Sequence, residues 1–261
     1  MGKLKLGILG NGYLADIIVE AGLKGMLDEY ELVGVLGRTR EKTELLAKKG
    51  GCRACSTIDE LLALAPDYVA EAASVQSVKD CGVKILASGA SMIVLSIGAF
   101  ADKEFYGQVK ETAAVHGTRV YIASGAVGGF DVLRTISLMG QAEAGIRTKK
   151  GPASLKGTPL FEERLMEDTQ ESHVFHGNAK EAISLLPTKV SVAVASSLVT
   201  AGPEDTRVDI YSVPGMVGDD HKITSEIEGV KAVVDIYSST SAIAGWSVVA
   251  VLQNIVSPIV F

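Results

Sequence analysis

The segment that most restricts what this chain can fold into is Gly10-Asn11-Gly12-Tyr13-Leu14-Ala15. It fits G-x-G-x-x-G/A and stands between an apolar run, Leu4 to Leu9, and a stretch from Leu14 to Lys24 with Ile17, Ile18 and Ala21 at helical spacing. In a strand-turn-helix context each position has a physical task. The first glycine permits a tight turn, the second lets backbone approach a pyrophosphate, and the small third residue lets helix pack on strand. Amide groups at the helix N-terminus then face the phosphates. Gly10, Asn11, Gly12, Tyr13, Leu14 and Ala15 are therefore the expected dinucleotide-binding turn.

A repeated βα rhythm follows. Strands are expected at Glu31 to Leu36, Asp67 to Ala72, Met92 to Ser96 and Arg119 to Ile122. Helices are expected at Arg40 to Lys49, Ile58 to Leu64, Val75 to Ser88 and Asp102 to His116, the last capped by His116 before Gly117. The strands read as continuous apolar runs, as parallel strands buried on both faces do. The pattern changes after Ser124, in the glycine-rich Ser124-Gly125-Ala126-Val127-Gly128-Gly129. Beyond a helix from Asp131 to Met139, alternating segments at Gly145 to Lys149, Glu171 to Phe175, Arg207 to Tyr211, Lys222 to Ile227 and Val230 to Tyr237 predict a mixed or antiparallel sheet. Helices are expected at Asn178 to Leu186 and Ala193 to Thr200. The apolar Ser241 to Ile255 reads as a helix returning to the first domain. The fold class is α/β: an N-terminal Rossmann domain over residues 1–124, joined by 241–261, and an α+β substrate and dimerisation domain over 125–240.

The net charge of −6 without a polybasic run leaves no electrostatic footprint for nucleic acid or an anionic membrane. Apolar runs are broken well short of the roughly 18 residues a membrane helix needs. The N-terminus passes straight into a strand with no signal-peptide pattern, so a cytoplasmic protein is expected. Cys52, Cys55 and Cys81 need form no disulfide there, and Cys52-x-x-Cys55, lacking a second pair, is read as a loop with two ordinary thiols. Neither a G-x-S-x-G nucleophile elbow nor a Walker A loop occurs.

Cofactor choice should be made at the end of the second strand, where an acid would bind the ribose 2′-OH and repel a 2′-phosphate. Asp28, Glu29 and Glu31 lie at its start, the wrong end; its end carries Arg38 and Thr39, with Arg40 beyond. NADP(H) is thus preferred, with NAD(H) possible. His173 and His176, at i and i+3 around a short strand, should not share a face, so no metal site is expected. His221 is the candidate catalytic residue. It follows Asp219 and Asp220 in a glycine-bounded acidic loop entering a strand, where carboxylates would raise its pKa toward working pH.

From Tyr121 to Leu133, the run Y-I-A-S-G-A-V-G-G-F-D-V-L resembles the L-aspartate dehydrogenase family. The likeness extends along the chain through Glu71-Ala72-Ala73-Ser74, Ser96-Ile97-Gly98-Ala99-Phe100-Ala101-Asp102, Thr148-Lys149-Lys150-Gly151-Pro152 and Phe175-His176-Gly177-Asn178-Ala179-Lys180-Glu181-Ala182. The resemblance implies a homodimeric enzyme that interconverts L-aspartate with oxaloacetate and ammonia through iminosuccinate, using a nicotinamide cofactor. It puts the family's catalytic histidine at His221 and a cofactor-contacting alanine at Ala126, with Ala73 and Ser74 also at the cofactor. Substrate carboxylates need donors, and Lys150, Ser124 and the amide of Gly125 are candidates.

Three departures touch the expected site. Ser191 stands where the family has an asparagine, and is expected to face the cofactor with a hydroxyl. Asp219 replaces the asparagine of N-x-H. Tyr237-Ser238-Ser239-Thr240-Ser241 replaces N-P-x-T-S. They keep open an NADP-dependent imine or 2-oxo acid reductase with a less acidic substrate, and a non-catalytic NADP-binding sensor.

Overall fold

The computed structural model describes residues 2–186 and 191–261. The chain divides into two compact units, one made of Met1–Gly125 with Ala242–Phe261, the other of Ala126–Ser241.

In the first unit, strands β1 (Leu4–Leu9), β2 (Tyr30–Leu36), β3 (Arg53–Cys55), β4 (Tyr68–Glu71), β5 (Ser91–Val94) and β6 (Val120–Ile122) form one sheet in the order β3-β2-β1-β4-β5-β6. All neighbours run parallel. This is the doubly wound arrangement, whose strand order reverses beside β1. Helices α1 (Tyr13–Leu23), α2 (Arg40–Gly50), α3 (Ile58–Leu62), α4 (Val75–Ala87) and α5 (Lys103–His116) make the crossovers. Their starts are written locally: Thr57, Ser74 and Asp102 accept backbone N–H bonds at the heads of α3, α4 and α5. Gly117 ends α5 in the left-handed region at φ 66°, as expected after His116. The short β3 has too few residues to show a period in sequence, and it takes in Cys55. Cys52, Cys55 and Cys81 are all free thiols. Burial pushes the Cys52 thiol up to about 11 and raises that of Cys55, which leaves both poor nucleophiles.

The last helix belongs to this unit. In chain order α6 to α8 precede it in the second unit, at Phe130–Met139, Ala179–Leu185 and Ser191–Val199; α9 (Ala242–Val256) then packs on α1. Val248, Val249 and Leu252 join Ile8, Ile18, Val35, Ala70 and Ile93 in one buried core. Two details fix the docking. The Tyr30 hydroxyl donates to the Leu252 carbonyl at 2.8 Å. Gly245 lets the helices close, because a Cβ there would lie 2.9 Å from Ile17 Cδ1.

The second unit holds β7 (Glu143–Lys150), β8 (Ser172–Asn178), β9 (Thr206–Ser212), β10 (Asp219–Ile227) and β11 (Val230–Ser238) in the order β11-β10-β7-β9-β8. β7 and β9 are parallel and the other neighbours antiparallel, so the sheet is mixed. Ile146, Val208, Ile210 and Ile223 point to one face, where Leu133 of α6, Ala179 and Ala182 of α7, and Ala193 of α8 complete a second core. A capping box between Asn178 and Glu181 starts α7 directly at the end of β8.

One irregularity overturns a sequence expectation. Pairing of β8 with β9 shifts between His173 and Phe175, so His173 sits opposite Tyr211 and His176 opposite Asp209. A bulge adds one residue to the strand and resets its alternation. The two histidines therefore share a face, and both reach Asp209 Oδ1, at 3.0 Å for His173 and 2.7 Å for His176.

Candidate functional site

At the carboxyl ends of β1, β2 and β4 the first unit builds the expected turn. Gly10 has φ +137°, and a Cβ on it would meet the Ala72 carbonyl oxygen at 2.4 Å, so only glycine fits. Gly12 is the opposite case. Its backbone is extended, at φ −97°, and no atom lies within 4 Å of where a Cβ would stand, which leaves open space at the head of α1. Ala15 is fully buried, and Tyr13 is exposed. Asn11 turns inward: its amide donates to the Thr39 carbonyl at 2.8 Å and to Thr43 Oγ1 at 2.9 Å, tying the turn after β1 to the turn after β2. This cradle, with free space in front of a helix N-terminus, fits a dinucleotide pyrophosphate.

Beyond β2, Arg40 is engaged by Glu44 and Ser56. Arg38 is exposed and has no ion pair among the described residues, and Thr39 caps α2 without using its hydroxyl on the helix. The two arginines are thus distinguished by their neighbours, which sequence alone does not reveal. Ser74 spends its hydroxyl on the head of α4, accepting from the Ser77 amide at 3.1 Å. Ala73 donates its amide to Glu71 Oε1 at 2.8 Å.

Glu71, which opens Glu71-Ala72-Ala73-Ser74, has a role that its sequence context alone does not assign. Its carboxylate is fully buried at the end of β4. It accepts from the amides of Ala73 (2.8 Å), Leu95 (3.1 Å) and Ser96 (2.9 Å) and from the Ser96 hydroxyl (2.7 Å). Burial raises its pKa, and these four donors pull the other way. Glu71 thereby clamps the ends of β4 and β5 in one arrangement. An acid closing an apolar strand was the available signal.

In the second unit, register assembles the other constellation. His221 on β10 is paired with Thr148 on β7, and Asp219 with Lys150. His221 is therefore a strand residue, only 5% exposed. Its Nδ1 lies 3.0 Å from Thr148 Oγ1. Lys150 Nζ lies 3.3 Å from Asp219 Oδ1, with the lysine side chain only 12% exposed. His221, Thr148 and Lys150 line a small cavity of about 20 Å³ closed by Leu155, Thr158, Leu186, Val192, Ala193, Val208 and Ile210. Thr148 stands in the sequence only as the first residue of Thr148-Lys149-Lys150-Gly151-Pro152, and its role as the partner of His221 emerges from the register.

The expected upward shift of His221 is reversed. Burial dominates and lowers its pKa to about 4; Asp219 pulls it up and Lys150 pushes it down. Asp220 contributes nothing of note, since alternation along β10 places it opposite Lys149 on the other face of the sheet. At neutral pH the imidazole is uncharged.

The remaining residues are less gathered. The Gly125 amide is already used, donating to Ser247 Oγ on α9 at 3.0 Å, so it is not a free donor for substrate. Ser124 lies in the first unit, half-buried beside Ser247 and Ala250. Ala126 begins the second unit. Ser191 is the first residue of α8, half-buried.

Comparison with known proteins places the chain among relatives. Residues 131–255 match the model "Aspartate dehydrogenase, C-terminal", and residues 6–123 match "Homoserine dehydrogenase, NAD binding domain". An L-aspartate dehydrogenase of Methanococcus maripaludis is 32% identical over 98% of both chains. One from Methanocaldococcus jannaschii is 28% identical, also over 98% of both. The crystal structure of an aspartate dehydrogenase from Thermotoga maritima superposes with a TM-score of 0.78, at 26% identity and 99% coverage of each chain. With likeness at this level running through the dinucleotide-type unit, the mixed-sheet unit and the returning helix alike, the chain belongs to the L-aspartate dehydrogenase family.

Proposed function

We propose that this chain is an NAD(P)-dependent L-aspartate dehydrogenase, an oxidoreductase that interconverts L-aspartate with oxaloacetate and ammonia through iminosuccinate. The observation that carries the reading is the neutral, buried His221 held by Thr148 beside the Lys150–Asp219 pair. In the tautomer whose Nδ1–H donates to Thr148 Oγ1, the Nε2 lone pair is left as a proton acceptor. When water adds to the carbon of the protonated imine, a C–O bond forms, the C=N π pair passes to nitrogen and an O–H proton passes to Nε2. In the reverse direction the imidazolium returns that proton to the departing hydroxyl of the carbinolamine. A pKa of about 4 keeps the ring unprotonated at neutral pH, with Nε2 free to accept.

Lys150 is the candidate donor to a substrate carboxylate, and the Ser124 hydroxyl is a further candidate. The nicotinamide cofactor, when bound, supplies or accepts the hydride. Gly10 and Gly12 shape the turn that would hold its pyrophosphate. Arg38 and Thr39 would hold a 2′-phosphate, which favours NADP(H). Ala73, Ser74, Ala126 and Ser191 are the further cofactor contacts in this reading. The enzyme is taken to work as a cytoplasmic homodimer, which sedimentation and cell fractionation test. No described helix is long and apolar enough to cross a membrane.

The deciding experiment follows oxidation of NADPH and NADH with ammonia and a panel of 2-oxo acids. Oxaloacetate should be the preferred acid, with L-aspartate as product. Preferred turnover of a monocarboxylic 2-oxo acid would make the chain a reductase of less acidic substrates, and NADPH binding without turnover of any acid would make it a sensor.

A further inference from the structure

On the open face of the second sheet, three side chains with metal-binding atoms converge: His173 and His176 of β8 and Asp209 of β9. Nε2 of His173, Nδ1 of His176 and a carboxylate oxygen of Asp209 all lie within 4.8 Å of one another. From these residues we infer that the β8–β9 edge is a binding site for a divalent transition metal of the zinc type.

The bulge makes this possible. In a regular strand, residues at i and i+3 point to opposite faces, and two histidines so spaced could not share an ion. The extra residue between His173 and Phe175 turns them to one side, and cross-strand pairing sets Asp209 directly opposite His176. Bulges beside functional groups commonly re-aim a side chain in this way. Two imidazoles and a carboxylate match the N and O ligand set of zinc and leave a further position for water. Metal bonds of about 2.0–2.2 Å place tetrahedral ligand atoms roughly 3.3 Å apart. The present separations of 3.0 and 2.7 Å from Asp209 Oδ1 need open by only a few tenths of an ångström. Both histidine side chains are exposed enough to move, at 40% and 65%.

The surroundings restrain the ligands. The His173 ring stacks on Tyr211 at 4.4 Å and 8° between planes, which fixes its orientation. Arg207 Nε lies 3.5 Å from Asp209 Oδ2, the other carboxylate oxygen, and so leaves Oδ1 to the histidines. The nearby Lys149 is paired with Glu171. The site is independent of the reaction proposed above. In the register across the sheet, His221, Thr148, Ile210 and Phe175 form one row, whereas His176 lies in the neighbouring row with Asp209, Arg147 and Lys222, facing the opposite side.

The test is a titration of the full chain with Zn²⁺ against a chromophoric chelator near neutral pH, with circular dichroism to confirm the fold. One equivalent should bind to the parent chain. His173→Gln, His176→Gln and Asp209→Asn should each weaken binding at least as much as loss of an outer-shell partner does, on the order of 10–100-fold. Cys52→Ser and His116→Gln should leave it unchanged. Absence of stoichiometric binding to the parent, equal affinity in the three ligand variants, or loss of the ion in Cys52→Ser would each overturn the inference. Turnover of the aspartate reaction enters none of these outcomes, so the site stands or falls apart from that reading.

Discussion

His221 Nδ1 and Thr148 Oγ1 lie 3.0 Å apart on adjacent strands, both side chains buried. If this pair positions a proton acceptor, His221→Ala should lower kcat by about 10²–10⁴-fold while dinucleotide binding is unchanged. Thr148→Val, which keeps the shape and removes the hydroxyl, should also reduce kcat, by less, because the ring stays but loses the hydrogen-bond partner that orients it. Stopped-flow turnover with parallel fluorescence titration of NADPH separates the two quantities. Near-parental kcat in His221→Ala would reduce the residue to a buried core histidine.

The same burial gives a pH signature. The folded pKa of His221, about 4, lies below the ordinary 6.5, so the unfolded chain takes up the proton first as pH falls. The stabilisation from a neutral His221 is complete above pH 6.5 and is lost progressively down to about pH 4, a matter of roughly 3 kcal/mol. Denaturant midpoints should therefore fall less across this interval in His221→Gln than in the parent. An identical slope in both proteins would show that another group controls acid sensitivity.

Asp219 occupies the lysine that a dicarboxylate would want. Asp219→Asn should free Lys150 and lower KM for oxaloacetate. Since Asp219 pulls the His221 pKa upward, the substitution should also move any pH limb governed by His221 to lower pH. Asp220→Asn, on the other face, should do neither. Steady-state kinetics over a pH series reads both effects, and a raised KM in Asp219→Asn would show that the acid itself helps to hold substrate.

Gly10 and Gly12 should fail in different ways when replaced. A side chain at Gly10 collides with the Ala72 carbonyl in a left-handed backbone, so Gly10→Ala should lose stability measurably in thermal unfolding. Gly12→Val meets no protein atom and should fold normally, yet it fills the space where phosphate would approach and should abolish dinucleotide binding. A Gly12→Val chain that binds NADPH as the parent does would mean that this turn holds no dinucleotide.

For cofactor choice, Arg38→Asp should weaken NADPH and spare NADH. Loss of a charge-assisted hydrogen bond, about 1.5–3 kcal/mol, corresponds to roughly 10–150-fold in Kd. Arg40→Asp should have little effect on either cofactor, because Glu44 and Ser56 already hold that side chain. Equal loss for both cofactors in Arg38→Asp would point to a general electrostatic role.

Much of this was written in local sequence. The parallel strands declared themselves as apolar runs, the turn at Gly10 by its spacing, and the returning helix by its apolar period. What local reading missed depends on which strand lies beside which. Thr148 gains meaning only opposite His221, and Asp219 acts on Lys150 only because β7 and β10 are neighbours. The sign of the His221 shift is hidden from local sequence for a related reason: two acids adjoin it, but burial by residues distant in the chain outweighs them. His173 and His176 would face opposite sides of a regular strand, and the one inserted residue between His173 and Phe175 turns them to the same side.

The helix α9 sets an order of events during synthesis. Val248, Val249 and Leu252 complete a core begun by Ile8 and Ile18, with the whole second unit intervening in the chain. While the ribosome is still making residues 126–241, the nascent first unit has the α1 surface around Ile17 and Ile18 without its cover. Closing that gap is a contact of very long sequence separation, which is slow to form and leaves apolar surface open to aggregation meanwhile. Chains interrupted shortly before Ala242 should therefore be the ones that chaperones hold longest.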